Sequence, residues 1–109
     1  MVNQALDAAF DALGDPTRRA IVALLSERPR RAGELHAAFP ISAPAISRHL
    51  RVLRERGVIE DLHLAGDARV RLYGLRLEPV EAMRDWLDEL GRHWQQALDS
   101  FKDFVEGGT

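Results

Sequence analysis

The chain has 109 residues, of which 46% are apolar and 29% charged, the balance of one folded domain with a single core. It has no cysteine, which excludes a disulfide scaffold, a thiolate metal site and a thiol redox switch. The formal net charge of −2 does not by itself announce a polyanion partner. No run approaches the length of a membrane span, and no charged-then-apolar leader opens the chain. A cytoplasmic protein without a membrane partner is therefore expected.

Leu6, Ala9, Phe10 and Leu13 recur at helical spacing and predict a first helix over residues 4–13, ended by Gly14. A second helix opens at Asp15-Pro16-Thr17, with Asp15 as cap and Pro16 at the first helical position; Ile21, Leu24 and Leu25 form its buried face. Residues 26–31 read as a turn. A short third helix over 32–39 turns Leu35, Ala38 and Phe39 inward, and Pro40 stops it.

Ser42 caps a fourth helix that tolerates Pro44 in its first turn, runs to Arg56 and closes at Gly57. Ile46, Leu50 and Leu53 are its core stripe. A short helix, a tight turn and a longer helix over 32–56 form a helix-turn-helix. Two β-type runs, 58–64 and 68–75, flank Ala65-Gly66-Asp67 and predict a hairpin wing. Alternation points Val70 and Leu72 one way and Arg69, Arg71 and Tyr73 the other. Pro79 begins a last helix over 79–105. Its apolar positions Val80, Met83, Leu87, Leu90, Trp94, Ala97, Phe101 and Phe104 form a seam about 36 Å long, interrupted by Gly91. Such a seam exceeds the width of a small domain, so part of it, with helix one, is expected to pack on a second copy. The predicted fold class is mainly α with a small β-hairpin wing, a winged helix-turn-helix dimerising through its first and last helices.

Charge is distributed unevenly. Residues 1–27 hold two Arg against four acids, residues 28–76 ten Arg against five acids, and residues 77–109 three bases against eight acids. The basic middle faces a polyanion and the acidic ends face elsewhere. On the fourth helix Ala43, Pro44, Ser47, Arg48, Arg51 and Arg54 fall outside the core stripe. Ser47 and Arg48 suit base edges, Arg48 by forking to guanine O6 and N7. Arg51, Arg54 and Arg56 suit phosphates, as does the helix N-terminus beginning at Ser42. Arg69 and Arg71 on the wing reach backbone or minor groove. His49, beside Leu50, takes a packing or phosphate role. The expected DNA-binding set is thus Ser42, Ala43, Pro44, Ser47, Arg48, His49, Arg51, Arg54, Arg69 and Arg71.

Across nearly its full length the chain resembles the ArsR-type winged-helix transcriptional regulators. The residues that carry the resemblance are Phe10 to Arg19, Gly33-Glu34-Leu35, Ser42 to Leu53, Gly57-Val58-Ile59 and Tyr73, with 42–59 the most specific part. The resemblance implies a homodimer built through the first and last helices, with Leu6, Phe10, Leu87, Leu90, Trp94 and Phe101 in the interface. It also implies Ser47 and Arg48 in the major groove of a palindromic double-stranded operator, and repression relieved by an inducing signal. Many relatives sense metals through cysteines on the third helix or through Asp and His on the last. Here the third helix reads Glu34-Leu35-His36-Ala37-Ala38, and His93 stands alone among carboxylates Asp85, Asp88, Glu89, Asp99 and Asp103. No metal and no cofactor are expected. The chain resembles members without a recognised metal site. A small-molecule effector near Trp86, Trp94 and Phe101 is compatible with this reading, although core packing is the plainer use of those rings.

Two other functions compete with this reading. A winged-helix module that binds protein and not DNA would explain the acidic, apolar last helix, but the basic excess over 28–76 opposes it. An enzyme would need a nucleophile motif, a phosphate loop or an acid-base pair, and the sequence offers none.

Overall fold

The computed structural model describes residues 3–62 and 71–107. The elements are α1 (Gln4–Ala12), α2 (Pro16–Glu27), β1 (Arg30–Arg31), α3 (Ala32–Ala38), α4 (Ala43–Glu55), β2 (Ile59–Asp61), β3 (Leu72–Leu75) and α5 (Leu77–Gly107). All five predicted helices are present; α1, α3 and α4 end one residue before the expected Leu13, Phe39 and Arg56. Asn3 caps α1, its side chain accepting from Leu6 N–H. Asp15 Oδ2 accepts from Thr17 and Arg18 N–H at 2.9 and 3.1 Å, and Ser42 Oγ from Ala45 N–H at 3.3 Å.

The C-terminus of α1 is closed from outside. It carries no basic residue in its last turn, and the next helix supplies the cations. Arg18 Nε donates to Ala12 O at 2.6 Å, Arg18 Nη2 to Asp11 O at 3.4 Å and Arg19 Nη1 to Leu13 O at 2.8 Å. Two guanidinium groups thus meet the orphan carbonyls at the negative end of the helix dipole and fix the α1–α2 corner.

The α4 helix ends in a Schellman motif: Val58 N–H bonds Leu53 O and Gly57 N–H bonds Arg54 O, both at 3.0 Å. This requires a left-handed residue, and Gly57 has φ +80°. Val58 and Leu53 are both fully buried, the apolar contact that accompanies the motif.

The sheet is three-stranded and antiparallel in the order β1-β3-β2, with β3 central. The residues 26–31 expected as a turn therefore contain a strand: Arg30 pairs with Tyr73 and Arg31 with Leu72. On the other side Ile59 pairs with Leu75, Glu60 with Gly74 and Asp61 with Tyr73. A Cβ at Gly74 would come within 2.6 Å of Leu62 Cδ1, so this position must be bare for Leu62 to fold over the strand. The distal parts of both predicted wing strands, with Ala65-Gly66-Asp67, Arg69 and Val70, lie outside the described residues.

The core gathers Ala9, Ala12, Ile21, Leu25, Leu35, Ile46, Leu50, Leu53, Val58, Ile59, Tyr73 and Met83. Two expectations are corrected here. Tyr73 shares a face with Arg71 as alternation requires, but only Arg71 is exposed; Tyr73 is 5% exposed and belongs to the core. Ala38 is exposed, because α3 ends there and the chain turns extended at Phe39, which packs on the core instead. The last helix starts at Leu77, two residues before the expected Pro79. Proline is tolerated there because the first-turn N–H groups have no intrahelical acceptor. It also runs unbroken through Gly91.

The 31-residue α5 is about 46 Å long. Only Met83 on it is buried. Phe10 of α1 packs edge-to-face on Trp86 at 5.5 Å between centroids. Beyond that contact the seam leaves the body of the protein. Leu87, Leu90, Trp94, Phe101 and Phe104 are 51–75% exposed.

Truncating Leu53 to Ala should cost about 2–5 kcal/mol of unfolding free energy, since it removes a fully buried side chain of α4. Gly57→Ala should cost about 1–2 kcal/mol through backbone strain alone. Denaturant unfolding of both variants at equal protein concentration checks these values.

Candidate nucleic-acid interface

Burial along α4 separates two faces. Ile46, Leu50 and Leu53 are buried, whereas Ala43, Pro44, Ser47, Arg48, Arg51 and Arg54 are exposed. These six were expected to face DNA, and the structure brings them onto one continuous surface. Among the described residues Arg48, Arg51 and Arg54 have no hydrogen-bond or ion-pair partner for their guanidinium groups. They are charges held at the surface without an internal counterion. Ser42 spends its hydroxyl on the helix cap. Pro44 has no N–H and the Ala45 and Ile46 N–H groups bond Ser42, so the exposed start of α4 presents the positive end of its dipole more than free donors.

Arg71 stands at the entry to β3, exposed, next to Tyr73. The Tyr73 hydroxyl, and more weakly the Asp61 carboxylate, hold its guanidinium charge above the ordinary arginine range. Arg69 lies outside the described residues.

His49 has a partner within the protein. It is half-buried on the flank of α4, with Nδ1 3.8 Å from Asp15 Oδ2. Seven residues further on, Arg56 Nη2 lies 3.2 Å from Asp11 Oδ2. Two carboxylates of the α1–α2 corner thus meet two nitrogen bases of α4, one at its middle and one at its end. Arg56, expected to meet phosphate, is engaged in this way.

Sequence reasoning gave His36 no role. It sits on α3 with Nε2 3.5 Å from Ser47 Oγ, across the helix-turn-helix angle. Its place beside core residue Leu35, on the helix that precedes the DNA-facing one, was the available signal. Next to it Glu34 is engaged elsewhere, accepting from Arg28 Nη2 at 2.8 Å and from Arg31 N–H at 3.2 Å. The Arg28 hydrogen bond, then the Arg31 N–H, hold its carboxyl below the usual range.

The rings weighed as an effector site do not converge. Trp86 and Phe101 are 15 positions apart on one helix, about 22 Å. Trp86 lines a shallow depression of about 190 Å³ with Glu89, Leu90 and His93, without Trp94 or Phe101. Among the described residues no group of three or more His, Asp or Glu is arranged to hold a metal ion. No described helix is long and apolar enough to cross a membrane.

A mainly helical chain with a three-stranded wing and a cation-bearing second helix of a helix-turn-helix has the architecture of a winged-helix DNA-binding protein. The sequence profile of the family described as bacterial regulatory protein, arsR family, matches residues 15–61. The chain is 40% identical over 100 residues to the HTH-type transcriptional regulator Rv2034 of Mycobacterium tuberculosis, covering 92% of this chain and 88% of that one. It is 43% identical over 82 residues to the transcriptional repressor SdpR of Bacillus subtilis, covering 75% of this chain and 88% of that one. The solved ArsR-like transcriptional regulator from Rhodococcus sp. RHA1 superposes with a TM-score of 0.75 at 27% identity, covering 92% of each chain. The chain belongs to the ArsR family of bacterial regulatory proteins, and its function is that of a DNA-binding transcriptional regulator.

Asp15 joins this surface to the fold and gives it a pH dependence. The Arg18 N–H, with the His49 charge and the Thr17 N–H behind it, lowers its folded-state pKa from 3.8. The folded state therefore binds this proton less readily than the unfolded chain does. The resulting stability is fully present at neutral pH and is lost as pH falls through the folded-state value. Asp15→Ala should lower Tm clearly at pH 7, and the gap to wild type should close as pH is brought down toward 3. Paired thermal melts across that range read the effect.

Proposed function

We propose that the protein is a homodimeric repressor that reads a palindromic operator with one α4 per half-site. The observation that carries this reading is the exposed face of α4, where Arg48, Arg51 and Arg54 stand without a counterion among the described residues. A helix in the major groove meets base edges with its N-terminal residues. Ser47 and Arg48 are the base-reading pair in this scheme. Arg51 and Arg54, further along, hold phosphates and supply affinity without sequence information. Ser42, Ala43 and Pro44 form the helix start that abuts the backbone. His49 acts from behind, through Asp15, and Arg69 and Arg71 extend the contact along the wing.

The second copy packs along α5 and α1. Leu87, Leu90, Trp94 and Phe101 expose a continuous apolar seam, and Leu6 and Phe10 are half-buried beside it. A seam of this kind in water is an interface without its partner. A two-fold dimer then places two α4 helices against half-sites about one helical turn apart or a multiple of it. The repressor named SdpR among its relatives supports repression as the direction of control. The protein acts by binding and not by catalysis, in the cytoplasm, and an inducing signal relieves it.

Arg48→Ala should weaken binding to the operator by about 1–3 kcal/mol while leaving scrambled duplex nearly unchanged. Arg51→Ala should weaken both and flatten the salt dependence by about one ion. Fluorescence anisotropy over a salt series, on the DNA flanking its own gene and on scrambled duplex, separates the two. Equal losses on both duplexes for Arg48→Ala would remove it from base reading. Leu90→Glu should convert the dimer to a monomer in sedimentation experiments and abolish tight operator binding, while the α-helical circular dichroism of the body is retained. A wild-type chain that sediments as a monomer would defeat the dimer.

A further inference from the structure

Between α3, α4 and the entry to β3 lies a cleft of about 340 Å³. Its polar lining is His36 from α3, Ser47, Arg51 and Arg54 from α4, and Arg71 and Tyr73 from the wing. Three guanidinium groups line one small space, and among the described residues no carboxylate lines it. Of the neighbouring acids, Glu34 is engaged with Arg28 and the Arg31 N–H, and Asp61, on β2, acts on the Arg71 charge without lining the cleft. The neutral members are hydrogen-bonding groups, an imidazole 3.5 Å from a hydroxyl and a phenol. Of the three arginines, Arg71 is steadied by the Tyr73 hydroxyl and by Asp61, while Arg51 and Arg54 have no hydrogen-bond or ion-pair partner among the described residues.

A tetrahedral oxyanion complements this cluster. Guanidinium forks match phosphate oxygens two at a time, and the Tyr73 hydroxyl and His36 imidazole can donate to the remaining lone pairs, leaving Ser47 for the bases. Monovalent carboxylates have too few oxygens for donors arriving from three elements. We propose that this cleft is a phosphate-binding site in which His36 and Arg71 join Arg51 and Arg54, and that its occupant is one backbone phosphate of the bound duplex in each half-site. The assignment of the occupant rests on the operator reading above; the chemistry of the site does not. The site locks α3, α4 and the wing onto one atom group of the DNA. It thereby fixes how deep the N-terminal end of α4 sits when Ser47 and Arg48 reach the bases. A free phosphate-bearing metabolite shares this chemistry and would compete with DNA for the same donors.

The experiment has two arms. In the first, inorganic pyrophosphate is titrated into the DNA-free protein, and the imidazole Cε1 protons are followed by NMR. The His36 signal should shift saturably while those of His49 and His93 do not, and Arg54→Ala and Arg71→Ala should each weaken the apparent affinity at least tenfold. In the second, operator duplexes carry a single neutral methylphosphonate, moved one position at a time. One position per half-site should weaken wild-type binding at least tenfold, and the same position should have little effect on Arg54→Ala or His36→Gln. The substitution is in the DNA, so this arm does not depend on a variant folding. Saturable pyrophosphate binding without any coupled methylphosphonate position would overturn the duplex as occupant and make a free phosphate compound the ligand. A His36 signal that ignores pyrophosphate, together with no coupled position on a duplex that binds tightly, would overturn the site and leave the operator reading intact. Pyrophosphate binding by a protein that binds no duplex would sustain the site and remove the operator reading.

Discussion

What this protein can present to DNA depends on the rotation of α4 about its own axis, and three aliphatic side chains set that rotation. Ile46, Leu50 and Leu53 are all buried. Each contributes about 1.5–3 kcal/mol by leaving water. The polar contacts of the same helix are weaker. The Arg56–Asp11 pair joins side chains that are 49% and 59% exposed, and a pair of that kind contributes about 0–1 kcal/mol. Turning α4 by one residue would bring an uncompensated arginine into the core, where no carboxylate waits for it. Burial therefore decides the phase, and the cations follow from it. The arginine face is exposed because the leucine face cannot be.

The ion pairs act at a finer level. Asp11 and Asp15 belong to the corner between α1 and α2, and that corner is rigid because Arg18 and Arg19 bond the last carbonyls of α1. From it the two carboxylates reach His49 and Arg56, one heptad apart along α4. Such contacts add little to stability. They tie the flank of α4 that faces away from the arginine stripe to the helix that packs on α5.

Much of this was legible in the sequence because the signals are local. The cap at Ser42, the stripe at Ile46, Leu50 and Leu53 and the stop at Gly57 each act over a few residues, and together they define α4 almost to the residue. So do Asp15 and Pro16 for α2. What was not legible depends on distant pairing. β1 is two arginines, with no strand propensity of its own; only the register with Tyr73 and Leu72, some forty residues away, makes it a strand. The same pairing places β3 at the centre of the sheet and explains why Tyr73 is core and not rim. Period-2 alternation found the face that Tyr73 shares with Arg71 but could not say what covers it. The partners of His49 and His36 were hidden for the same reason, since each pairs across elements. Pro79 misled in a different way, because a first turn of a helix accepts proline at more than one position.

The length of α5 links the two ends of the molecule. The radius of gyration is 19.3 Å, against about 13 Å for a compact domain of this size. The excess is the projecting helix. That projection is apolar along one stripe and acidic elsewhere, so it is repelled by a duplex and drawn to a second apolar seam. Ten of the fifteen basic residues fall in 28–76, while 77–109 carries three bases against eight acids, and this uneven charge separates the two surfaces. In the proposed dimer the distance between the two α4 helices is then set by how α1 lies on α5 and by how the α1–α2 corner holds α4. Phe10 on Trp86 is the first of these contacts, and Asp11 with Arg56 is the second. They arise from adjacent residues of one helix. In the proposed dimer, half-site spacing would therefore follow the packing of α1 on α5, with the exposed Asp11–Arg56 pair as a weak link to the end of α4.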